Sequence, residues 1–557
     1  MSLAARLTGA AACLLGTAAA GAPPDYYGTA EPFAAEAVYF VLTDRFVNGD
    51  PSNDQRGQGG ENRTFDRPLA GANGVADNIG YLGGDFQGIL ANAGYIRDMG
   101  FTAVWITPIV DNPDEAFTGG FRVGEGFFAD RGKTGYHGYW GVNFYRVDEH
   151  LESPGLTFAD FTRRMREEAG LKVVLDIVGN HGSPSYTMPV DQPKFGEIHD
   201  RDGKLVADHQ NLPPPELDPA NPLHRFFHRE PDLAELSNFD DTNPAVMDYL
   251  VGAYLQWIDQ GASAFRIDTI RHVPPPFWRE FTRRIRERHP GFFMFGEHFE
   301  YDANKIAAHM RPENGGVSVL DFPGQAAMAE VFGKPGSDYA RMLDALHLED
   351  GIYRNPYELM SFYDNHDMAR LAATEDGFID ANNWLFTSRG IPVVYYGSEI
   401  AFMAGTKEHE GNRNYLGTEN IERARSHRIR EALARIAQVR RDSPALQRGL
   451  QVVLELKDHR AAFLRVYERG AEAETALVLL NKGDSAAQFE IDGAMGAGAW
   501  RDAMSGNTVT APGNAALPLE VPAHGVRVLL RNERVRDPDL RRQLDRAMKA
   551  LADGSGG

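Results

Sequence analysis

Gly261-Ala-Ser-Ala-Phe-Arg-Ile-Asp268-Thr-Ile-Arg-His272 is the stretch on which the reading of the whole chain turns. Ala264 to Asp268 is a short, mostly apolar run with a carboxylate at its end. Upstream, Val246, Leu250, Ala253, Tyr254, Trp257 and Ile258 recur at helical spacing, which predicts a helix over 245–260. A strand fed by a helix and tipped by an acid is how a (β/α)8 barrel presents catalytic groups. Arg266 shares a strand face with Asp268, and a guanidinium there keeps the carboxylate ionised and aimed. A buried structural Arg–Asp pair would read the same way from this stretch alone.

Working outward, three more apolar runs end in acids. They are Leu171-Lys-Val-Val-Leu-Asp-Ile-Val-Gly-Asn-His181, Phe292-Phe-Met-Phe-Gly-Glu297-His298 and Leu359-Met-Ser-Phe-Tyr-Asp-Asn-His-Asp367. Core packing does not explain four such strands. Together, and in this order, they resemble the four signature regions of the α-amylase family of retaining α-glucan hydrolases and transglycosylases. The similarity runs from about Val38 to about Leu530. It implies an α/β fold: a (β/α)8 barrel with an irregular domain inserted after strand 3 and a C-terminal antiparallel β-sandwich.

Composition sets the outer bounds. A chain of 557 residues is too long for one compact core, so two or three domains are expected. A formal charge of −21 argues against nucleic acid or an anionic membrane as partner. Met1 to Arg6, an apolar Leu7 to Ala20 and then Gly21-Ala-Pro-Pro read as a secretory signal peptide, with cleavage expected after Ala20. The apolar run is shorter than the roughly 20 residues a membrane span needs. The only cysteine, Cys13, lies inside it, so the exported enzyme would form no disulfide. The expected segments are a signal peptide at 1–20, barrel at 30–182 and 236–441, inserted domain at 183–235, β domain at 442–532 and a charged tail at 533–557.

Ala37 to Thr43 is the expected first strand, and the loop after it is dense in oxygen-bearing side chains. Such a set suits a hard cation that takes six to eight oxygens, although a solvated turn-rich loop has the same composition. The loop is similar to the calcium loop of cyclodextrin glucanotransferases and related amylases. That resemblance implies Ca²⁺ on Asn48, Asp50, Asn53, Asp54, the Gly83 carbonyl and Asp85. A second, inter-domain ion would use Asn180, Glu235 and the His272 carbonyl; Leu233-Ala-Glu-Leu236 stands where relatives carry Leu-x-Asp-Leu. A Gly-rich insertion, Asp111 to Thr134, yields no specific reading. Helices are expected over 86–99 and 423–441, and alternating runs after that predict the sandwich.

The resemblance also assigns roles. Asp268 is the expected nucleophile, Glu297 the acid/base and Asp367 the third acid that favours the distorted sugar. Tyr139, Trp140, His181, Arg266, Arg271, His366 and Arg413 are the expected substrate-binding residues, with Tyr139 and Trp140 as a sugar platform. The acid that usually stands four residues before Arg413 is His409 here. The implied activity is exported hydrolysis of α-1,4-glucosidic bonds in starch or maltooligosaccharides. The nearest alternative is a transglycosylase or cyclodextrin-acting enzyme. Cyclising relatives carry a bulky aromatic four residues before the acid of Leu-x-Asp-Leu; here that residue is Pro231, unless Phe226 or Phe227 takes its place. A catalytically dead glucan-binding subunit is a further alternative, against which the intact Asp268, Glu297 and Asp367 argue.

Overall fold

The computed structural model describes residues 26–69, 77–123, 125, 129–491, 495–513 and 516–553. The expected signal peptide and Cys13 lie outside these residues.

Eight parallel strands form the barrel: β1 Val38–Val41, β2 Ala103–Ile106, β3 Lys172–Val178, β4 Ala264–Asp268, β5 Phe293–Gly296, β6 Ser318–Val319, β7 Met360–Ser361 and β8 Ile391–Tyr395. Each strand pairs with the next, β8 pairs with β1, and a parallel bridge between Leu320 and Met360 joins β6 to β7 and closes the ring. The strands are nearly continuous apolar runs because both faces are covered, outside by helices and inside by the barrel core. All five residues of β4 are buried.

The helix feeding β4 is Pro244–Asp259, close to the expected range. Asn243 caps it by accepting the Ala245 N–H, and Pro244 presets the first turn. Trp257 on its inner face donates to the Phe144 carbonyl at 3.0 Å. Gly261 then turns the chain at φ +108°, where a Cβ would stand 2.4 Å from Thr162 Oγ1, so only glycine fits between helix and strand.

The expected helix over 86–99 is two pieces, Phe86–Ala91 and Ala93–Asp98. The one expected over 423–441 is also two, Gly417–Ala424 and Arg428–Arg441, because the His427 side chain caps a fresh N-terminus by accepting the Ile429 N–H. The inserted domain is closed by antiparallel pairing of His181–Pro184 with Leu236–Asn238, so its walls reach slightly past the expected 183–235 on both sides. Glu197–His199 and Leu205–Asp208 form its second ribbon.

The C-terminal domain packs a large antiparallel sheet, including Leu450–Lys457, Arg460–Arg469, Glu472–Asn481 and Gly525–Arg531, against the ribbon of Ala487–Ile491 and Leu517–Val521. The charged tail belongs to this core. Helix Pro538–Asp553 buries Leu540, Leu544, Ala547 and Met548 in the sandwich cluster. Its Asp545 accepts from Tyr27 at 2.8 Å, and Tyr26–Tyr27 adds a short edge strand to Arg460–Arg469. Among the described residues, no helix is long and apolar enough to cross a membrane.

Candidate active site

Barrel register gathers the charged groups at the C-terminal end of the strands. Arg266 on β4 lies opposite Asp176 on β3, and both side chains point inward. Arg266 is fully buried. Its Nη1 donates to Asp176 Oδ1 and to Asp268 Oδ1, each at 2.8 Å, and its Nη2 lies 3.0 Å from Glu297 Oε2. One rigid guanidinium fork therefore tethers the acids of β4 and β5 side by side. Directly after Asp268, Thr269 adopts left-handed backbone (φ 45°, ψ 39°), a costly geometry for a β-branched residue. The turn aims the Thr269 N–H at Glu297 Oε2, 3.2 Å away.

Asp367, on the loop after β7, completes the cluster. Arg413 Nη2 holds its Oδ1 at 2.7 Å, and His366 Nε2 lies 3.2 Å from Oδ2. Tyr139 closes the ring: its hydroxyl donates to Asp176 Oδ2 at 2.9 Å and meets His366 Nε2 at 2.8 Å. The half-buried Tyr139 ring stacks on the His366 ring at 5.6 Å. Trp105 on β2 donates to Asp176 Oδ2 at 3.1 Å and packs flat on Phe40 of β1.

The electrostatics separate the carboxyl groups. Burial, aided by Asp268 and Asp367, pushes Glu297 up to about 8 despite the attraction of Arg266. It is therefore protonated near neutral pH and can donate. Burial also raises Asp367 above its ordinary value, against Arg413. Burial, with Arg413 and Arg266 nearby, holds His366 well below the usual imidazole range, so its ring is neutral. Burial likewise lowers His181.

Asp268, Glu297, Asp367, Arg266, His366, Tyr139 and Arg413 thus meet in one connected network. Buried His181 stands at the edge of β3's loop, beside Asn180. One expected substrate residue, Trp140, is placed otherwise, and Arg271 lies outside this network. Trp140 is only 4% exposed and packs with Phe117, Met188 and Phe195 in a separate apolar cluster, so it is a core aromatic and no sugar platform. Arg271 is exposed and donates to the Phe299 carbonyl at 3.2 Å; it bridges to the loop after β5.

Sequence reasoning missed Glu408. Burial alone would raise it, but Arg413, Lys133 and His409 hold its carboxyl well below the ordinary range. Its Oε1 lies 3.0 Å from Arg413 Nη1 and 3.2 Å from His409 Nε2. The acid accompanying Arg413 is therefore present, five residues upstream instead of four. His409 turns at φ 62°, which absorbs the extra residue.

In the first expected calcium loop, Gly83 (φ +88°) presses against the Asn48 and Asp54 side chains: a Cβ there would lie 2.3 Å from Asn48 Nδ2 and from Asp54 Oδ1. Asn48 Oδ1 and Asn53 Oδ1 are buried without a hydrogen-bond partner. Asp85 accepts the Asp50 N–H at 2.7 Å and the Gly88 N–H at 2.6 Å, and burial raises it to about 6. Two orphaned amide oxygens beside the Asp85 carboxylate fit a hard cation, whereas Asp54 accepts from Asn48 Nδ2 at 2.7 Å and pairs with Arg56 at 2.5 Å. Asp50 departs from the expected set, since its carboxylate turns to Ser52.

At the second expected ion site the acids exchange places. Asp232, and not Glu235, sits between Asn180 Nδ2 and His272 Nδ1, 3.0 Å from each. Glu235 is buried with no hydrogen-bond partner on either oxygen and faces Asp130 and Lys133, and burial raises it to about 7. Among the described residues, Asp148, Glu149 and His150, and separately Asp111, Asp114 and Glu149, also cluster closely; Lys194 already pairs with Asp111 and Asp114.

Comparison with known proteins agrees with this geometry. The model of the "Alpha amylase, catalytic domain" family matches residues 40–440, and that of the "Maltogenic Amylase, C-terminal domain" family matches 451–528. The cyclomaltodextrin glucanotransferase of Klebsiella oxytoca is 28% identical over 508 residues, covering 81% of this chain and 71% of that one. The enzyme of the same name from Geobacillus stearothermophilus is 27% identical and covers 87% of this chain, which spans 65% of its length. An Anoxybacillus α-amylase superposes with a TM-score of 0.68 at 26% identity, covering 90% of this chain and 99% of that one. CldA, described as the first cyclomaltodextrin glucanotransferase with a three-domain ABC distribution, superposes at 0.72 with 28% identity and the same coverage. With its catalytic barrel matched along nearly its full length, the chain belongs to the α-amylase family of glycoside hydrolases and transglycosylases.

Proposed function

We propose that this enzyme hydrolyses α-1,4-glucosidic bonds of starch or maltooligosaccharides by retaining double displacement. The observation that carries the reading is the single Arg266 fork holding Asp268 and Glu297 next to each other. Retaining glycosidases need two carboxyl groups about 5 Å apart, whereas inverting ones leave room for a water between them.

In this reading the Asp268 carboxylate attacks the anomeric carbon while the C–O bond to the leaving sugar breaks. Glu297 delivers its proton to the departing oxygen. The resulting Glu297 carboxylate then takes a proton from water, whose oxygen displaces Asp268 and restores both groups. Asp367, held by Arg413, accepts hydrogen bonds from ring hydroxyls of the distorted sugar, and His366 and His181 add neutral partners. Tyr139 offers its ring face to the apolar side of that sugar.

A calcium ion in the first loop would sit on Asn48, Asn53, Asp54, Asp85 and the Gly83 carbonyl, tying the loop after β1 to the helix after it. Its contribution is structural. Export through the leader at 1–20 is part of the same reading.

Transglycosylation is the second reading. Phe299 and Tyr301, two and four residues after the acid/base, are 37% and 48% exposed and pack edge to face, and in this reading an acceptor sugar would stack on them. Against cyclisation, Phe227 is buried on Phe239 and Phe226 packs on Tyr249, so neither replaces the aromatic absent at Pro231. Product analysis on soluble starch tests the choice. Linear maltooligosaccharides from the first minutes are expected; substantial early cyclodextrins would overturn the hydrolase reading.

A further inference from the structure

His298 follows Glu297 in the chain but has no part in the network around it. Glu297 reaches Arg266, whereas His298 meets His309 instead: its Nδ1 lies 3.0 Å from His309 Nε2. The two rings cross at 71° with their centroids 5.1 Å apart. His309 sits in the turn Ala308–Met310, which continues the helix Ala303–Ala307. That segment is anchored from behind, since Ile306 and Met310 are buried and the Val317 N–H donates to the His309 carbonyl at 2.9 Å. His309 is 7% exposed and His298 half-buried, so the pair stands at the edge of solvent.

Two neutral imidazoles that face each other share one proton, one nitrogen donating and the other accepting. An ion in place of that proton makes both nitrogens ligands. Nitrogens each about 2.0–2.1 Å from one ion stand roughly 2.8–3.4 Å apart, from a right angle at the metal to a tetrahedral one. The observed 3.0 Å lies in this window, near the right-angle end that tetragonal Cu²⁺ and Ni²⁺ prefer. Burial lowers His309 to about 4 and also lowers His298, so near neutral pH no added proton competes for the lone pairs. Among the described residues His309 Nδ1 is buried with no hydrogen-bond partner, so no second bond turns the ring away from His298. Of the charged groups around His298, Lys305 is paired with Glu300 at 2.7 Å, His272 with Asp232 at 3.0 Å, and Arg271 is exposed to screening water.

We propose that His298 and His309 form a binding site for a transition-metal ion of the Cu²⁺ or Ni²⁺ type, at which the bound ion slows turnover. The slowing rests on the reading of Glu297 as acid/base given above. Water fills the other positions on the ion from the half-open His298 side. The dication then stands one residue from Glu297, whose charged neighbours are Arg266, Asp268 and Asp367. Positive charge there favours the ionised carboxyl group, which has no proton to donate. Ca²⁺ does not compete, because a hard ion takes oxygen ligands and this site offers nitrogen.

The test titrates the full chain, in excess Ca²⁺, with Cu²⁺ alone, and follows electron paramagnetic resonance and the rate on maltoheptaose. Wild type is expected to bind the first equivalent with hyperfine splitting from two nitrogens and to lose about tenfold in kcat/KM. His298→Gln and His309→Gln are each expected to bind that equivalent about tenfold or more weakly and to keep their rate. His298 is half-buried, so its variant carries the test should His309→Gln fail to fold. Copper binding unchanged in folded His298→Gln would overturn the site and show the pair to be a structural hydrogen bond only. Copper held by both histidines with the rate unaltered would overturn the inhibition. Neither result touches the hydrolase reading, which falls instead if metal-free wild type leaves maltoheptaose uncut.

Discussion

Arg266 Nη2 stands 3.0 Å from Glu297 Oε2, yet Glu297 is held up to about 8. A cation so close would normally favour the ionised acid. The same guanidinium is shared with Asp176 and Asp268, and burial of Glu297, with the Asp268 and Asp367 carboxyl groups nearby, outweighs its attraction. The arginine orients the acid without taking its proton.

The first prediction is the alkaline limb of activity. A general acid must be protonated in the free enzyme, and its protonated fraction falls as pH rises through its pKa. The kcat/KM for a maltooligosaccharide is therefore expected to fall above about pH 8, tenfold per unit well beyond it. An alkaline limb centred near the ordinary carboxylate range, measured over pH 4–10 at constant ionic strength, would remove Glu297 from the acid's role.

Substitution of the two tethered acids tests their roles directly. Asp268→Asn and Glu297→Gln are each expected to cost about 10³-fold or more in kcat, on the order of 4 kcal/mol of barrier. Both are near-isosteric, so circular dichroism and the melting temperature should show the fold intact. Retained hydrolysis in either variant would mean the assignments are wrong.

Removing metal is expected to lower the melting temperature. An ion bound only by the native state stabilises it by about 2.7 kcal/mol at a hundred times its Kd. Asp85→Ala should lose most of this chelator-sensitive shift, plus about 1 kcal/mol for the helix cap it supplies to Gly88. A melting curve unchanged by chelator, with metal loss confirmed by elemental analysis, would refute the calcium assignment.

The tail helix should behave as part of the core. Leu544, fully buried beneath the sandwich, is expected to cost about 2–5 kcal/mol when changed to Ala. Truncation after residue 537 should destabilise the C-terminal domain more strongly, since it also removes Leu540, Ala547 and Met548, uncovers the sandwich residues they pack on and breaks the Tyr27–Asp545 hydrogen bond. Denaturant unfolding indistinguishable from wild type would show that the helix is dispensable.

What the sequence by itself determined is local. Acids at the ends of apolar runs, helical spacing before β4 and alternation after residue 450 follow from side-chain periodicity and backbone geometry, which neighbours in the chain set. Asp268, Glu297 and Asp367 were legible because each closes its own strand motif. What only the tertiary structure decided is which distant groups meet. Glu408 reaches Arg413 because the loop after β8 turns at His409, and Asp232 rather than Glu235 lies against Asn180 and His272. Trp140 sank into the cluster of Phe117, Met188 and Phe195 while neighbouring Tyr139 stayed at the site. In irregular loops no period fixes where a side chain points; long-range packing and charge pairing settle it, and those exist only once the barrel has closed.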